Sequence, residues 1–236
     1  MPNTKVISLG GSIIAPDWVD VRYLRDLRAA LIEYLEQDPE RRLILVCGGG
    51  APAREYQRAY REILADGNGA PPEPEAQDWI GIAATRLNAE LLRQLLAQYC
   101  AERVVIDPVE VNVFPGRVLV AAGWKPGFST DYDAVLLAEK FQADTLLNLS
   151  NIARVYEADP KTHPEARPLE RMTWAELRNL VGDTWTPGQN VPFDPVATGY
   201  AARIGLKVVV AAGRDIENLV AILNERDFIG TVIGPD

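Results

Sequence analysis

Three glycine-rich turns hold the residues best suited to chemistry in this chain: Gly10-Gly11-Ser12, Gly48-Gly49-Gly50 and Gly123-Trp124-Lys125-Pro126-Gly127. Each follows a short apolar run that reads as a strand. Glycine lets backbone N–H groups come close to an oxyanion, and a helix opening just after the turn adds partial positive charge. One such turn is accounted for by a tight strand-to-helix connection. Three of them, at the carboxyl ends of strands in an α/β sheet, point to a shared phosphate-binding edge. No Gly-x-x-x-x-Gly-Lys-Ser/Thr run is present, so a P-loop does not hold that phosphate.

Composition narrows the chemistry. His163 is the one histidine and lies between Thr162 and Pro164 in loop-like sequence, which argues against Ser-His-Asp hydrolysis and histidine-rich metal sites. Phosphoryl transfer fits better, because it needs positioning, Mg²⁺ and cationic neutralisation more than a covalent protein group. The 24 basic and 33 acidic residues give a net charge of −9, and the basic residues are scattered. That pattern argues against a nucleic-acid or anionic-membrane surface, so an anionic ligand must be held by local geometry.

The elements that position these turns follow from hydrophobic spacing. At 236 residues and 47% hydrophobic, one large domain over 1–236 is expected. Short apolar runs alternate with segments of 3.6-residue period, the pattern of a mostly parallel sheet covered by helices on both faces. Val6-Ile7-Ser8-Leu9 reads as a strand. Leu24, Leu27, Leu31 and Leu35 form one helix face after Asp20, a possible N-cap. The run 43–47 is apolar throughout and should be a central strand. A helix opens near Pro52 and runs to about Asp66; 67–74 is a surface loop, and helical spacing resumes from Gln77 to Cys100. Further strands are expected at 104–106, 118–122, 146–149 and 208–211, with helices at 131–141, 175–181, 195–204 and 216–224. Thr173-Trp174-Ala175-Glu176 has the form of a capping box. No apolar run approaches the ~20 residues of a membrane span. Met1-Pro2-Asn3-Thr4-Lys5 lacks the apolar segment of a secretory signal, so a cytoplasmic location is expected. Cys47 and Cys100 have no Cys or His neighbour at ligand spacing and read as buried structural thiols.

Taken in order, the motifs resemble the amino acid kinase superfamily, most closely its archaeal-type UMP kinases, over nearly the whole chain. The carriers begin with Val6-Ile7-Ser8-Leu9-Gly10-Gly11-Ser12 and Gly48-Gly49-Gly50-Ala51-Pro52-Ala53-Arg54. Asp78-Trp79-Ile80-Gly81-Ile82 and Thr85-Arg86-Leu87-Asn88-Ala89 follow, then Pro126-Gly127-Phe128-Ser129-Thr130-Asp131. Asn151, Val155-Tyr156-Glu157-Ala158-Asp159-Pro160-Lys161 and Asp194-Pro195-Val196-Ala197 complete the set.

The resemblance implies a three-layer αβα sandwich with a mostly parallel central sheet. Across its carboxyl edge ATP and UMP would lie end to end, the acceptor side covering roughly 1–140 and the nucleotide side roughly 141–236. It implies Mg²⁺-dependent transfer from ATP to the UMP phosphate, in pyrimidine nucleotide biosynthesis, by a homo-oligomer, commonly a hexamer. By position, Gly10, Gly11, Ser12, Gly50 and Arg54 match residues that hold ATP phosphates, and Ser150, Asn151, Tyr156 and Asp159 match those around its nucleoside. Gly49, Asp78, Trp124, Lys125, Pro126, Gly127, Phe128, Ser129 and Thr130 match the UMP side. Asp131 matches the aspartate that orients catalytic lysines. No residue is assigned as a metal ligand. An arginine such as Arg54 can fork onto phosphate oxygens.

Three departures from the family pattern bear on activity. Gly199 stands where the helix after the Asp-Pro motif usually carries a lysine, which matters most; Ser8 stands where many superfamily members have another, a change that also resembles the archaeal-type relatives. A cation aimed at a migrating phosphoryl is worth about 3 kcal/mol or more of barrier, so a replacement is needed. Lys5 and Lys207 begin strands, Lys140 ends a helix and Lys161 lies by the presumed nucleoside loop, which leaves Lys125 in the third turn as the catalytic candidate, with Arg203 as a weaker one. Ala153-Arg154 replaces the usual Asp-Gly and brings a bulky cation near the nucleotide. Two other readings follow from these departures: a nucleotide-binding, regulatory or storage protein with impaired catalysis, and a kinase for a different phosphate or carboxylate acceptor.

Overall fold

A computed structural model describes residues 3–65, 71–159, 162–182 and 191–234. In chain order the elements are β1 (Asn3–Leu9), α1 (Gly11–Ile14), α2 (Val21–Glu36), β2 (Arg41–Cys47), α3 (Gly50–Ala65) and α4 (Pro74–Leu95). Next come β3 (Val118–Ala121), α5 (Thr130–Lys140), β4 (Thr145–Ser150), β5 (Val155–Tyr156), β6 (Pro168–Leu169) and β7 (Arg171–Thr173). The last are α6 (Trp174–Val181), α7 (Pro195–Ile204), β8 (Lys207–Ala212), α8 (Ile216–Leu223) and β9 (Thr231–Gly234).

Among the described residues the sheet has seven strands in the order β3-β2-β1-β4-β8-β9-β7, and β5 and β6 form a small separate ribbon. β3, β2, β1, β4 and β8 are mutually parallel, so their carboxyl ends share one edge; β9 runs antiparallel to β8. The register sets Val6 opposite Ile44 and Leu146, and Ile7 opposite Leu45 and Leu147. Alternation along the strands then separates two cores. Ile7, Leu9, Leu45 and Leu147 pack with α2, α4 and α8, whereas Val6, Ile44, Leu119 and Leu146 pack with α5, α6 and α7. The result is the αβα sandwich expected, with helices on both faces.

Local signals place the helix ends. Asp20 caps α2 by accepting from the Tyr23 N–H, and Leu24, Leu27, Leu31 and Leu35 are buried on its inner face. Thr173 and Glu176 form the reciprocal capping box of α6. Both cysteines are buried and free, and His163 is exposed.

Several expectations need correction. β2 is interior and buried, but β3 lies outside it, and β1 and β4 are the strands nearer the middle. The strand expected at 104–106 reduces to one bridge, between Val105 and Ala121, flanked by the half-buried Val104 and the exposed Ile106. α3 opens at Gly50, two residues before Pro52. α4 opens at Pro74, whose ring suits a first helical position, and ends at Leu95. Residues 67–70 of the expected 67–74 loop, and Lys161, lie outside the described residues. The short strands β5, β6, β7 and β9 are not expected from the sequence; the two or three residues of β5, β6 and β7 carry too little periodicity.

Candidate active site

The first two glycine turns nest against each other, backbone on backbone. A Cβ on Gly11 would fall 2.0 Å from the Gly50 nitrogen, and one on Gly48 would fall 2.4 Å from the Gly11 nitrogen. Gly50 also has φ of +68°, a conformation side chains disfavour. Main-chain bonds fix the pair in the sheet: Gly10 N donates to Leu149 O and Gly48 N to Leu9 O, both at 2.9 Å. Arg54, one helical turn into α3, reaches back over them. Its Nη1 donates to Ser12 Oγ and its Nη2 to Pro16 O, each at 3.0 Å. Gly10, Gly11, Ser12, Gly50 and Arg54 are therefore one cluster, with an exposed guanidinium beside backbone amides.

A cleft of about 210 Å³ opens beside this cluster. Gly48, Gly49, Asp78, Gly123, Phe128 and Thr130 line it. So do Ala53, Gln57, Gly81, Ile82 and Thr85, which sequence reasoning did not single out as site residues. Ala53, Gly81, Ile82 and Thr85 stand within quoted motif runs; Gln57 does not, and its spacing of four from Ala53 on α3 takes on meaning only once the cleft is known. Asp78 is not a helix cap, since α4 begins four residues earlier. Its Oδ2 instead accepts from Gly127 N at 2.9 Å and ties down the tip of the third turn, where Gly127 has φ of +84°. Ser129 caps α5 by accepting from Tyr132 N at 3.2 Å. The rings of Trp124 and Phe128 lie 5.3 Å apart, and the exposed Lys125 places Nζ 3.7 Å from the first centroid and 5.2 Å from the second. Pro126 is half-buried.

A buried acidic group sits where α5 and α7 begin. Asp131 Oδ1 accepts from Ser8 Oγ at 2.9 Å and its Oδ2 from Asp194 N at 3.3 Å. Ser8 thus binds the Asp131 carboxylate directly. Burial pushes the Asp131 carboxyl up to about 6, with the nearby Asp194 charge adding to the shift. Asp194 is raised too, by burial, although it caps α7 through Ala197 N at 2.6 Å. Gly199, on α7, is exposed, and a Cβ there would meet no described heavy atom within 4 Å.

The opposite end is more open. Ser150 ends β4, and its carbonyl accepts from Gly213 N at 2.8 Å. Asn151 and Asp159 are exposed, Tyr156 is half-buried on the β5–β6 ribbon, and the Asp159 carbonyl accepts from Thr162 N and His163 N. Arg154 is held by Glu170, Nη1 to Oε1 at 3.0 Å. Of the other basic candidates, Lys5 is buried against Glu225 and Asp144, Lys140 donates to Val109 O, and Arg203 stacks 4.2 Å over Tyr200.

An open, mostly parallel sheet with nested glycine turns and a cleft at its carboxyl edge defines a phosphate-binding α/β protein. A family model described as the amino acid kinase family matches residues 3–212. A uridylate kinase of Methanospirillum hungatei is 36% identical over 98% of this chain and 94% of its own length, and one of Thermoplasma volcanium is 35% identical over 99% and 98%. The crystal structure of a uridylate kinase from Archaeoglobus fulgidus superposes with a TM-score of 0.81 at 34% identity, covering 98% of this chain and 99% of that one. The chain belongs to the amino acid kinase family.

Proposed function

We propose that this protein transfers the terminal phosphoryl of ATP to the phosphate of UMP. The observation that carries the reading is the acceptor cleft opening directly beside the nested glycine turns, on one edge of one sheet, in a chain full-length similar to uridylate kinases. On this reading Gly10, Gly11, Ser12, Gly50 and Arg54 bind the ATP phosphates, and Ser150, Asn151, Tyr156 and Asp159 surround its nucleoside. Gly49, Asp78 and the segment from Trp124 to Thr130 take UMP. The chain works as one domain, acceptor side roughly 1–140 and nucleotide side 141–236, in the cytoplasm and as a homo-oligomer, a hexamer by resemblance. No helix among the described residues is long and apolar enough to cross a membrane.

Mg²⁺, when bound with the nucleotide, neutralises phosphate charge. Asp194 fits a hard cation. Its buried Oδ2 makes no well-formed hydrogen bond among the described residues, although the Ser129 hydroxyl lies close to the carboxyl. Lys125 supplies the mobile cation on the acceptor side. Its flexible stem carries it from the Trp124 and Phe128 faces to a phosphate in the neighbouring cleft, and Asp131 holds the start of α5 to Ser8 and to the Asp194 N–H at the start of α7.

A coupled assay with Mg²⁺-ATP and UMP, CMP or AMP tests the reading. UMP-dependent turnover is expected, falling about 100-fold in Lys125→Ala. Unchanged turnover in Lys125→Ala removes the lysine from the mechanism. The space around Gly199 makes Gly199→Lys a clean companion, also favourable to helix stability by about 1 kcal/mol. A parent silent with every acceptor, beside an active Gly199→Lys, identifies instead a nucleotide-binding protein that has lost transfer.

A further inference from the structure

The third glycine turn is held by its backbone, through buried or half-buried side chains. Gly123 N donates to Thr85 Oγ1 at 2.8 Å, Trp124 O accepts from Arg86 Nη2 at 3.4 Å, and Gly127 N donates to Asp78 Oδ2 at 2.9 Å. Those three anchors all come from α4. A fourth comes from the other side of the sheet: Trp124 N donates to Asp133 Oδ2 at 3.1 Å. Asp133 is 1% exposed, on the first turn of α5, two residues after Asp131. Its Oδ1 is buried without a hydrogen-bond partner among the described residues.

A buried carboxylate that is bonded through one oxygen alone is a poor structural filler, because its other oxygen loses water and gains nothing. Ala134 and Val135 next to it show what a packing residue at this depth looks like: both are 0% exposed and apolar. What Asp133 does that an apolar residue cannot is fix the direction of the Trp124 amide, and with it the entry angle of the turn that carries Lys125 and Phe128. It also makes that turn answer to α5, the helix whose start holds Asp131 against Ser8 and Asp194.

We propose that Asp133 is a positioning residue that orients the acceptor-binding turn through the Trp124 amide and ties it to the helix bearing Asp131. The consequence for catalysis rests on the UMP reading above; the anchoring itself does not. A turn set at the wrong angle binds acceptor poorly while leaving the ATP cluster, on different elements, as it was.

The test pairs Asp133→Ala with Asp133→Asn, whose amide oxygen can still accept the Trp124 N–H. In steady-state kinetics Asp133→Ala raises the UMP KM at least tenfold and keeps the ATP KM within threefold, with any fall in kcat smaller than that of Lys125→Ala because the lysine is still present, and Asp133→Asn returns the UMP KM to within threefold of the parent. Amide hydrogen exchange without substrate is read in parallel: exchange at 123–128 accelerates at least tenfold in Asp133→Ala, not in Asp133→Asn, and α5 keeps its protection. Should Asp133→Ala lose its cooperative unfolding transition, Asp133→Ser provides the same truncation with a polar group too short to reach Trp124. An unchanged UMP KM in a parent that turns over UMP overturns the proposal. So does a joint fall in kcat and both affinities, or loss of protection spread along α5. A parent with no UMP turnover sinks the kinase reading alone, and the exchange data then decide the anchoring by themselves.

Discussion

The two ends of the candidate site are built differently. At the acceptor end, backbone groups are locked by buried partners: Gly123 by Thr85, Trp124 by Asp133, and Gly48 and Gly49 carbonyls by the amide of Asn88 at 2.8 and 3.1 Å. At the nucleoside end, Asn151 and Asp159 are exposed, and a two-residue ribbon and surface ion pairs such as Arg167–Glu157 supply the framework. Exposed ion pairs contribute about 0–1 kcal/mol, whereas a severed buried hydrogen bond costs about 1–3 kcal/mol. On the proposed reading the acceptor end is thus preorganised, as discrimination between small phosphates requires, because a misplacement of about 1 Å is enough to lose a reacting geometry. The nucleoside end can adjust to its ligand at little cost.

The sharpest way to break this contrast is to strike where the preorganisation is densest. Gly11→Ala puts a Cβ 2.0 Å from a backbone nitrogen that has no rotamer to yield. Loss of at least about 100-fold in kcat/KM, together with a fall in thermal stability of several degrees, is expected. Wild-type kinetics in that variant would show that the nested turns are not rigid.

A pH series measures the same rigidity through its electrostatic cost. Burial raises Asp133 to about 7 and Asp131 to about 6, each from an ordinary value of 3.8, with neighbouring carboxylates adding to both. The folded chain therefore retains protons that the unfolded chain has released, so the stability these groups permit is whole below about pH 4 and declines as pH rises toward 7. Asp133→Asn removes the larger of the two contributions. Its stability curve should be flatter than the parent's between pH 4 and 7, by on the order of 2–4 kcal/mol. Parallel curves from chemical denaturation would mean that Asp133 is solvated in solution.

Arg54 probes the junction of the two ends. Its guanidinium is exposed and bonds Ser12 and Pro16 on the surface, so Arg54→Ala should leave the unfolding temperature within about 2 °C. Removing a charged fork from a phosphate should nonetheless raise the ATP KM about 10- to 100-fold. An ATP KM that does not move places the phosphates elsewhere.

How much of this was legible in the sequence follows the same division. The long elements announced themselves: Leu24, Leu27, Leu31 and Leu35 stake out α2, and the apolar run 43–47 stakes out β2, because periodicity over many residues reports burial directly. The glycine turns were legible for a steric reason, since a nested backbone leaves no other residue type at Gly11. Asp133 was not legible. It sits at a first-turn position where any acidic residue satisfies the helix dipole, and only the tertiary approach of Trp124 gives it a partner. Gln57 was hidden likewise, its place in the cleft being set by how α3 meets α4. The absence of the usual lysine at Gly199 was plain, but that the site is sterically open had to come from the fold.

The smallest expected effect tests the compliant end. Arg154 replaces a glycine of the family pattern, and a cation there could have met the nucleotide; in the structure it pairs instead with Glu170, which is 77% exposed at its side chain. A pair so open to water contributes about 0–1 kcal/mol. Glu170→Ala should therefore change stability by less than about 1 kcal/mol. It also releases the Arg154 guanidinium, whose stem is long enough to sample new directions from a half-buried root. If the nucleoside end is as compliant as its exposed side chains indicate, the ATP KM of Glu170→Ala stays within about twofold of the parent at physiological salt. A larger drop in that KM would mean that Glu170 restrains a phosphate-binding arginine. The nucleoside end would then be gated by an ion pair, and the contrast with the acceptor end would narrow accordingly.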